Sequence, residues 1–149
     1  MEICFYSKSP DYGGLSNFDQ RGSFVIDGES WRTVEHYYQA QKFDDSELRR
    51  SIQKEKTALA TKKLAQSHSG EVRGDWDEVK EAVMQQALRA KFGQNRALRN
   101  LLLQTGEADL IHQSSMDAYW GRSADGAGLN RLGEMLMETR AALRADLGK

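Results

Sequence analysis

The stretch Thr33-Val34-Glu35-His36-Tyr37-Tyr38-Gln39-Ala40-Gln41-Lys42-Phe43 constrains this chain more than any other, because it is too polar for a core helix and too aromatic for a solvated one. Thr33 suits an N-cap and nothing from Val34 to Phe43 breaks a helix, so the stretch predicts one short helix. At about 3.6 residues per turn, Glu35, Tyr38 or Gln39, and Lys42 fall on one side, while Val34, Tyr37 and Gln41 share a neighbouring one. An acid, an amide or phenol, and an amine on successive turns suit a reaction site or the floor of a ligand pocket. The same residues also suit a half-buried helix whose Tyr and His tips find partners inside the fold and whose Glu and Lys form a surface pair. Both readings stand at this point.

A chain of 149 residues predicts one domain, residues 1–149, with a core that needs neither disulfides nor metals. The net charge of −1 provides no global field toward DNA or acidic membranes. Locally the picture differs: Arg49, Arg50, Lys54, Lys56, Lys62 and Lys63 make one basic region, read either as a solvated face or as the flank of a phosphorylated ligand. The single Cys4 excludes an internal disulfide, and no signal peptide or long apolar run opens the chain, so a cytoplasmic protein with no membrane partner is expected. Histidines stand only at 36, 68 and 112, without H-E-x-x-H or paired cysteines. No zinc or iron site and no cofactor is expected, and a carboxylate-bound magnesium stays open.

Along the chain, Glu2 to Tyr6 reads as a first strand, followed by a turn-rich loop from Ser7 to Asn17 that could present Asn17 or is an ordinary connection. Ser23 to Trp31 reads as a hairpin around Asp27-Gly28. Asp44 with Glu47 predicts a helix to about Gln53, and Thr57 to Gln66 another. Asp75 with Glu78 opens a helix from Trp76 to Phe92, stopped at Gly93, with Trp76, Val79, Val83 and Ala87 as its apolar line and Met84, Leu88 and Phe92 alongside. Trp76 packs inward or caps a pocket beside Arg73. Asn95 caps a helix to about Gln104, Asp109 to His112 reads as a strand, and Asn130 opens a last helix with Leu132, Leu136, Thr139, Leu143 and Leu147 facing the core. Before it, Gly121, Gly126 and Gly128 permit close approach of a ligand, and a glycine-rich loop entering a helix offers N–H groups to phosphate. That loop is neither a Walker loop nor a Rossmann fingerprint.

Taken together and in order, several motifs are more specific than any one. Gly14-Leu15-Ser16-Asn17-Phe18, Asp27-Gly28-x-x-Trp31-x-Thr33 through Phe43, Trp76 with Val79-Lys80, Ala90-Lys91-Phe92, Asp117-Ala118-Tyr119-Trp120-Gly121 and Gly128-x-Asn130-x-Leu132-Gly133 resemble the YbiA-like NADAR family. The resemblance implies a mainly helical α+β domain with a few short strands, and an enzyme that hydrolyses N-glycosidic bonds of ribosyl compounds. It implies as substrate either a phosphorylated ribosylaminopyrimidine intermediate of riboflavin synthesis or ADP-ribose attached to guanine, with DNA carrying ADP-ribosylated guanine as a partner. Family positions implicated in catalysis match Glu35, Trp76 and Asp117. The chain departs at Arg122-Ser123, where relatives often carry a further glycine, which leaves the backbone path of that loop open.

That chemistry suits these residues. Breaking a ribose C1–N bond builds positive charge on C1 and the ring oxygen, so a carboxylate in a dry site lowers the barrier, and the departing amine needs a proton. Glu35 is assigned the base or electrostatic role and Asp117 the sugar-facing one, the reverse remaining open. Lys42 adds a second route, capturing the ring-opened sugar as a Schiff base, or serves as a point charge for Glu35 or phosphate. Trp76 and Trp120 would stack the base or shield the cation, and Gly126 to Asn130 would hold phosphate or hydroxyls. Ser16, Asn17, Phe18, His36, Tyr38, Gln39, Arg73, Tyr119, Gly121, Gly126, Gly128 and Asn130 complete the expected binding set. The rival from another class is a non-catalytic ADP-ribose or NAD-binding module.

Overall fold

Local sequence signals translate into ten elements in the computed structural model, which describes residues 1–148. In order they are strand β1 (Glu2–Phe5), the hairpin strands β2 (Phe24–Ile26) and β3 (Glu29–Trp31), and helices α1 (Val34–Ala40), α2 (Ser46–Lys54), α3 (Ala58–Ser67), α4 (Trp76–Gln94) and α5 (Arg96–Gln104). Strand β4 (Asp109–His112) and helix α6 (Arg131–Leu147) complete the chain, a mainly helical α+β architecture. The elements belong to two units: Asn17–Gln94, and Met1–Ser16 together with the chain from Asn95 on.

In the Asn17–Gln94 unit, β2 and β3 pair antiparallel from Phe24↔Trp31 to Ile26↔Glu29. Asp27 and Gly28 link them with φ of 52° and 79°, the left-handed pair that a two-residue hairpin turn demands. The side-chain amide of Gln94 accepts the N–H of Val25 and donates to its carbonyl, both at 2.8 Å, so a side chain pairs the edge of β2. Helix α1 packs on α2, α3, α4 and β3, and Thr33 caps it by accepting the N–H of His36. It stops at Ala40, short of Phe43, because Lys42 and Phe43 donate to Gln39 and Ala40 in tighter bonds that close the turn. Asp45, one residue after the expected Asp44, caps α2, and Thr57 caps α3. Helix α4 continues through Gly93 to Gln94. Its buried line is Met84, Ala87, Leu88, Lys91 and Phe92, while Val79 and Val83 are half-buried. Asp75 does not cap α4 with its carboxylate, which instead takes two bonds from the Arg73 guanidinium at 2.6 and 3.0 Å.

In the other unit, β1 and β4 run parallel in register from Glu2↔Asp109 to Phe5↔His112. Helix α6 lies on β4 so closely that a Cβ on Gly133 would stand 2.0 Å from the Leu110 carbonyl oxygen. Helix α5 packs on α6 and on the buried turn Gly13–Leu15. The core line of α6 comprises Leu132, Met135, Leu136 and Thr139. The expected continuation fails: Leu143 is half-buried and Leu147 is 66% exposed. Arg140 takes a buried place instead, donating to Thr105 Oγ1 at 2.7 Å. Among the described residues no helix is long and apolar enough to cross a membrane.

Candidate active site

Helix α1 is buried along its whole length, yet five of its seven residues are polar or phenolic. Their partners define a site. Glu35, 7% exposed, accepts a hydrogen bond from Gln39 Nε2 at 2.6 Å, one turn along the same face. Its backbone N–H donates to the Asn17 carbonyl, which ties the loop before the hairpin to the first turn of α1. Asn17 in turn donates Nδ2 to the Met84 sulfur at 3.6 Å. Two buried acceptors in this cluster, Asn17 Oδ1 and Gln39 Oε1, have no hydrogen-bond partner. Buried polar atoms are nearly always satisfied, so two bare acceptors on residues bonded to Glu35 are unusual.

Beside them stands an aromatic shelf. Tyr38 and Trp76 meet edge to face with centroids 5.1 Å apart, and the Lys42 ammonium lies 5.4 Å from the Tyr38 centroid and 6.0 Å from that of Trp76. Trp76, at the start of α4, is therefore packed inward on α1. The shorter α1 puts Lys42 in the turn after the helix, where its carbonyl accepts the Arg73 N–H at 2.8 Å. The Arg73 side chain is bound to Asp75 and holds that carboxyl below the usual range, so Arg73 positions the loop before α4.

His36 has no access to a ligand. It is wholly buried, its Nε2–H donates to the Glu55 carbonyl at 2.8 Å and its Nδ1 accepts from the Thr33 hydroxyl at 2.7 Å. Burial pushes its pKa below 6.5, keeping the ring neutral in this tautomer. His36, expected to contact substrate, fastens α1 to the end of α2.

In the other unit, Asp117 Oδ1 accepts the N–H groups of Tyr119 and Trp120 at 3.1 and 2.9 Å, folding the segment into a turn, while Oδ2 takes part in neither bond. Trp120 is buried edge-on against Tyr119, centroids 4.8 Å apart. The glycine-rich loop, expected to hold phosphate, spends many of its donors internally. Gly121, Arg122, Ser123, Gly126, Leu129 and Asn130 all give their N–H to carbonyls of residues 112–127. The first-turn donors of α6, Arg131 and Leu132, go to Tyr119 and Trp120 carbonyls, so that helix terminus is already covered. Asn130 is engaged likewise: with φ of 54° and 2% exposure, it does not cap α6 with its side chain. Its Oδ1 accepts the His112 N–H and its Nδ2 donates to the Leu110 carbonyl, each at 2.9 Å. Gly121 and Gly128 serve packing, since a Cβ would meet Ser114 Cβ at 2.8 Å and the Gly121 carbonyl oxygen at 2.4 Å respectively. Gly126 is exposed at φ 89°. The Arg122-Ser123 departure is absorbed by the Ser123 hydroxyl, which bonds Asp125.

Of the remaining expected residues, Ser16 is buried and Phe18 and Tyr119 are half-buried. Met84 and Lys91 did not stand out from the sequence as polar partners. Lys91 was legible in one respect: it sits seven residues after Met84 on the apolar line of α4, where a charge is out of place. Among the described residues no group of three or more His, Cys, Asp or Glu is arranged to hold a metal ion.

Helix α1 and its surroundings thus hold a buried carboxylate, two buried acceptors without partners and a cation against two aromatic rings, and comparison with known proteins identifies the family. The NADAR domain family matches residues 4–144, so the chain belongs to the NADAR family. It is 47% identical over 141 residues to N-glycosidase YbiA of Shigella flexneri, covering 95% of this chain and 88% of that protein. It is 39% identical over 142 residues to riboflavin biosynthesis protein VVA0006 of Vibrio vulnificus, where the match spans 38% of the relative. The NMR structure of Escherichia coli YbiA superimposes with a TM-score of 0.91 at 43% identity, covering all of this chain and 90% of that one.

Proposed function

We propose that this NADAR protein, as a single domain over residues 1–149, is an N-glycosidase that hydrolyses the bond between ribosyl C1 and an amine or nucleobase nitrogen. One observation carries the assignment to residues: Glu35 is buried and held by Gln39, while Asn17 Oδ1 and Gln39 Oε1 lack donors. A ribosyl group supplies hydroxyl donors for those acceptors and develops positive charge at C1 as the C–N bond breaks. Glu35 stabilises that charge or activates water, and the low-dielectric surroundings strengthen its effect. Tyr38 and Trp76 offer ring faces to the base or the cation. Asp117 is the second carboxyl of the proposal, its Oδ1 held by the turn and its Oδ2 carrying the chemistry.

The relatives' printed names, N-glycosidase and riboflavin biosynthesis protein, support a phosphorylated ribosylamine as substrate. ADP-ribosylated guanine in DNA is the second reading, resting on the shared C1–N bond alone. The net charge of −1 gives no field toward a polyanion and favours the small metabolite. The decisive experiment compares hydrolysis of a ribosylaminopyrimidine phosphate with that of an ADP-ribosylated guanine oligonucleotide. The metabolite is expected to be cleaved faster, with Glu35→Gln lowering kcat by about 100-fold or more while folding is retained, and Asp117→Asn also impairing turnover. Near wild-type turnover by Glu35→Gln removes Glu35 from the mechanism. Binding without release of sugar from either substrate replaces the enzyme with a binding module.

A further inference from the structure

A hollow opens between β3 and α2. It measures about 240 Å³ and is lined by Glu29 and Trp31 of β3 with Ser46, Arg49, Arg50 and Gln53 of α2. None of these residues belongs to the Glu35 cluster. Tyr37 of α1 and its cap residue Gln41 lie on a different side of the helix from Glu35. Tyr37 meets Trp31 edge to face at 5.2 Å and Gln41 accepts from Arg49 Nη2 at 3.0 Å. Two residues that line the hollow, Trp31 and Arg49, are thus held by Tyr37 and Gln41.

Two guanidiniums give it a cationic wall. Among the described residues neither Arg49 nor Arg50 makes an ion pair, although the chain holds 22 acidic residues against 21 basic ones. Arg49 has given one of its five N–H donors to Gln41, leaving the rest of the fork for another acceptor. Trp31 is 2% exposed and its indole N–H is buried without a partner. Gln53 is anchored through Nε2 on the Ser30 carbonyl at 2.9 Å, so its amide oxygen remains for a hydroxyl. Glu29 lines the same hollow without an ion pair to either arginine, which suits an acceptor for sugar hydroxyls.

We propose that this hollow is a second binding site, separate from the reacting centre, for a small sugar phosphate, with Arg49 and Arg50 on the phosphoryl group and Glu29 and Gln53 on the sugar. Two guanidiniums match phosphate oxygens through charge-assisted bonds, which an isolated lysine would make only as a point charge. Pockets that enclose drug-sized ligands run from about 300 to 1,000 Å³, so the volume of this one suits a ligand as small as a monophosphate sugar.

The chain has three tryptophans, so ¹⁵N NMR shows three indole N–H signals, that of Trp31 assigned through Trp31→Phe. Titration of the full chain carrying Glu35→Gln with ribose 5-phosphate is expected to shift the Trp31 signal saturably, with a Kd of about 1 mM or below. Ribose alone is expected to leave it in place, and inorganic phosphate to bind at least about tenfold more weakly. Arg50→Gln, which removes an exposed and unpaired group, and the Arg49→Gln/Arg50→Gln pair are each expected to weaken the response about tenfold or more, with an otherwise unchanged spectrum reporting intact folding. A Trp31 signal that does not move, or that moves equally in Arg50→Gln, overturns the proposal. Equal affinity for inorganic phosphate overturns the sugar phosphate assignment. The readout is independent of hydrolysis, so it stands or fails apart from the role of Glu35.

Discussion

At the scale of single residues, α1 separates two kinds of buried polar group. His36 has both ring nitrogens occupied inside the fold and serves structure, whereas Glu35 sits among acceptors that lack donors and serves a ligand. Periodicity placed Glu35, Gln39 and Lys42 together, because spacing along one helix is local information. It could not distinguish His36 from them, since the Glu55 carbonyl that captures its ring comes from another element. Lys42 carries a prediction of its own. Half-buried on two ring faces, its amine is partly stripped of water, which suits capture of a ring-opened sugar as an imine. Borohydride added during turnover is therefore expected to fix the sugar to Lys42, detected by peptide mass analysis. An unmodified Lys42, under conditions that trap a known Schiff-base enzyme, leaves it as a cation for phosphate.

At the scale of elements, the connection from β4 to α6 is a glycine-rich stretch that spends many of its donors internally. Gly121, Gly126, Gly128 and Asn130 look like a cradle for phosphate, yet the loop closes on itself and Asn130 acts as a clamp between α6 and the backbone of β4. The reason is proximity: with Gly133 letting the helix lie against Leu110, the strand's edge groups are buried and must be met by a side chain. Asn130→Ala leaves the His112 N–H and Leu110 carbonyl without their partner and puts alanine at φ 54°. A loss of about 3–5 kcal/mol in unfolding free energy is expected by urea denaturation. A loss below about 1 kcal/mol shows that the clamp is dispensable. The hairpin and the Thr33 cap, by contrast, were readable because turn and cap preferences act over a few neighbouring residues.

At the scale of the whole molecule, Lys91 ties stability to pH. It is wholly buried beside Phe92, and burial pushes its pKa from 10.5 down to about 7, against the pull of Asp19. The unfolded chain then holds a proton that the folded chain lacks between about pH 7 and 10.5, so this group makes stability rise with pH across that window. From pH 7 to 9 the gain is expected to be about 2 kcal/mol, and Lys91→Met should remove that rise in denaturation midpoints measured at both pH values. The same slope in the variant assigns the rise to other groups. The amino-acid sequence alone determined the order of the elements and the polar face of α1, which follow from spacing and local backbone preference, and the family motifs, whose resemblance implied the helical α+β class. Tertiary structure decided which polar groups are already satisfied: His36 by Glu55 and Asn130 by β4, with the N–H groups of Arg131 and Leu132 taken by the Tyr119 and Trp120 carbonyls. Hydrogen-bond capacity is written in each residue, but whether it is used depends on what the fold brings within about 3 Å.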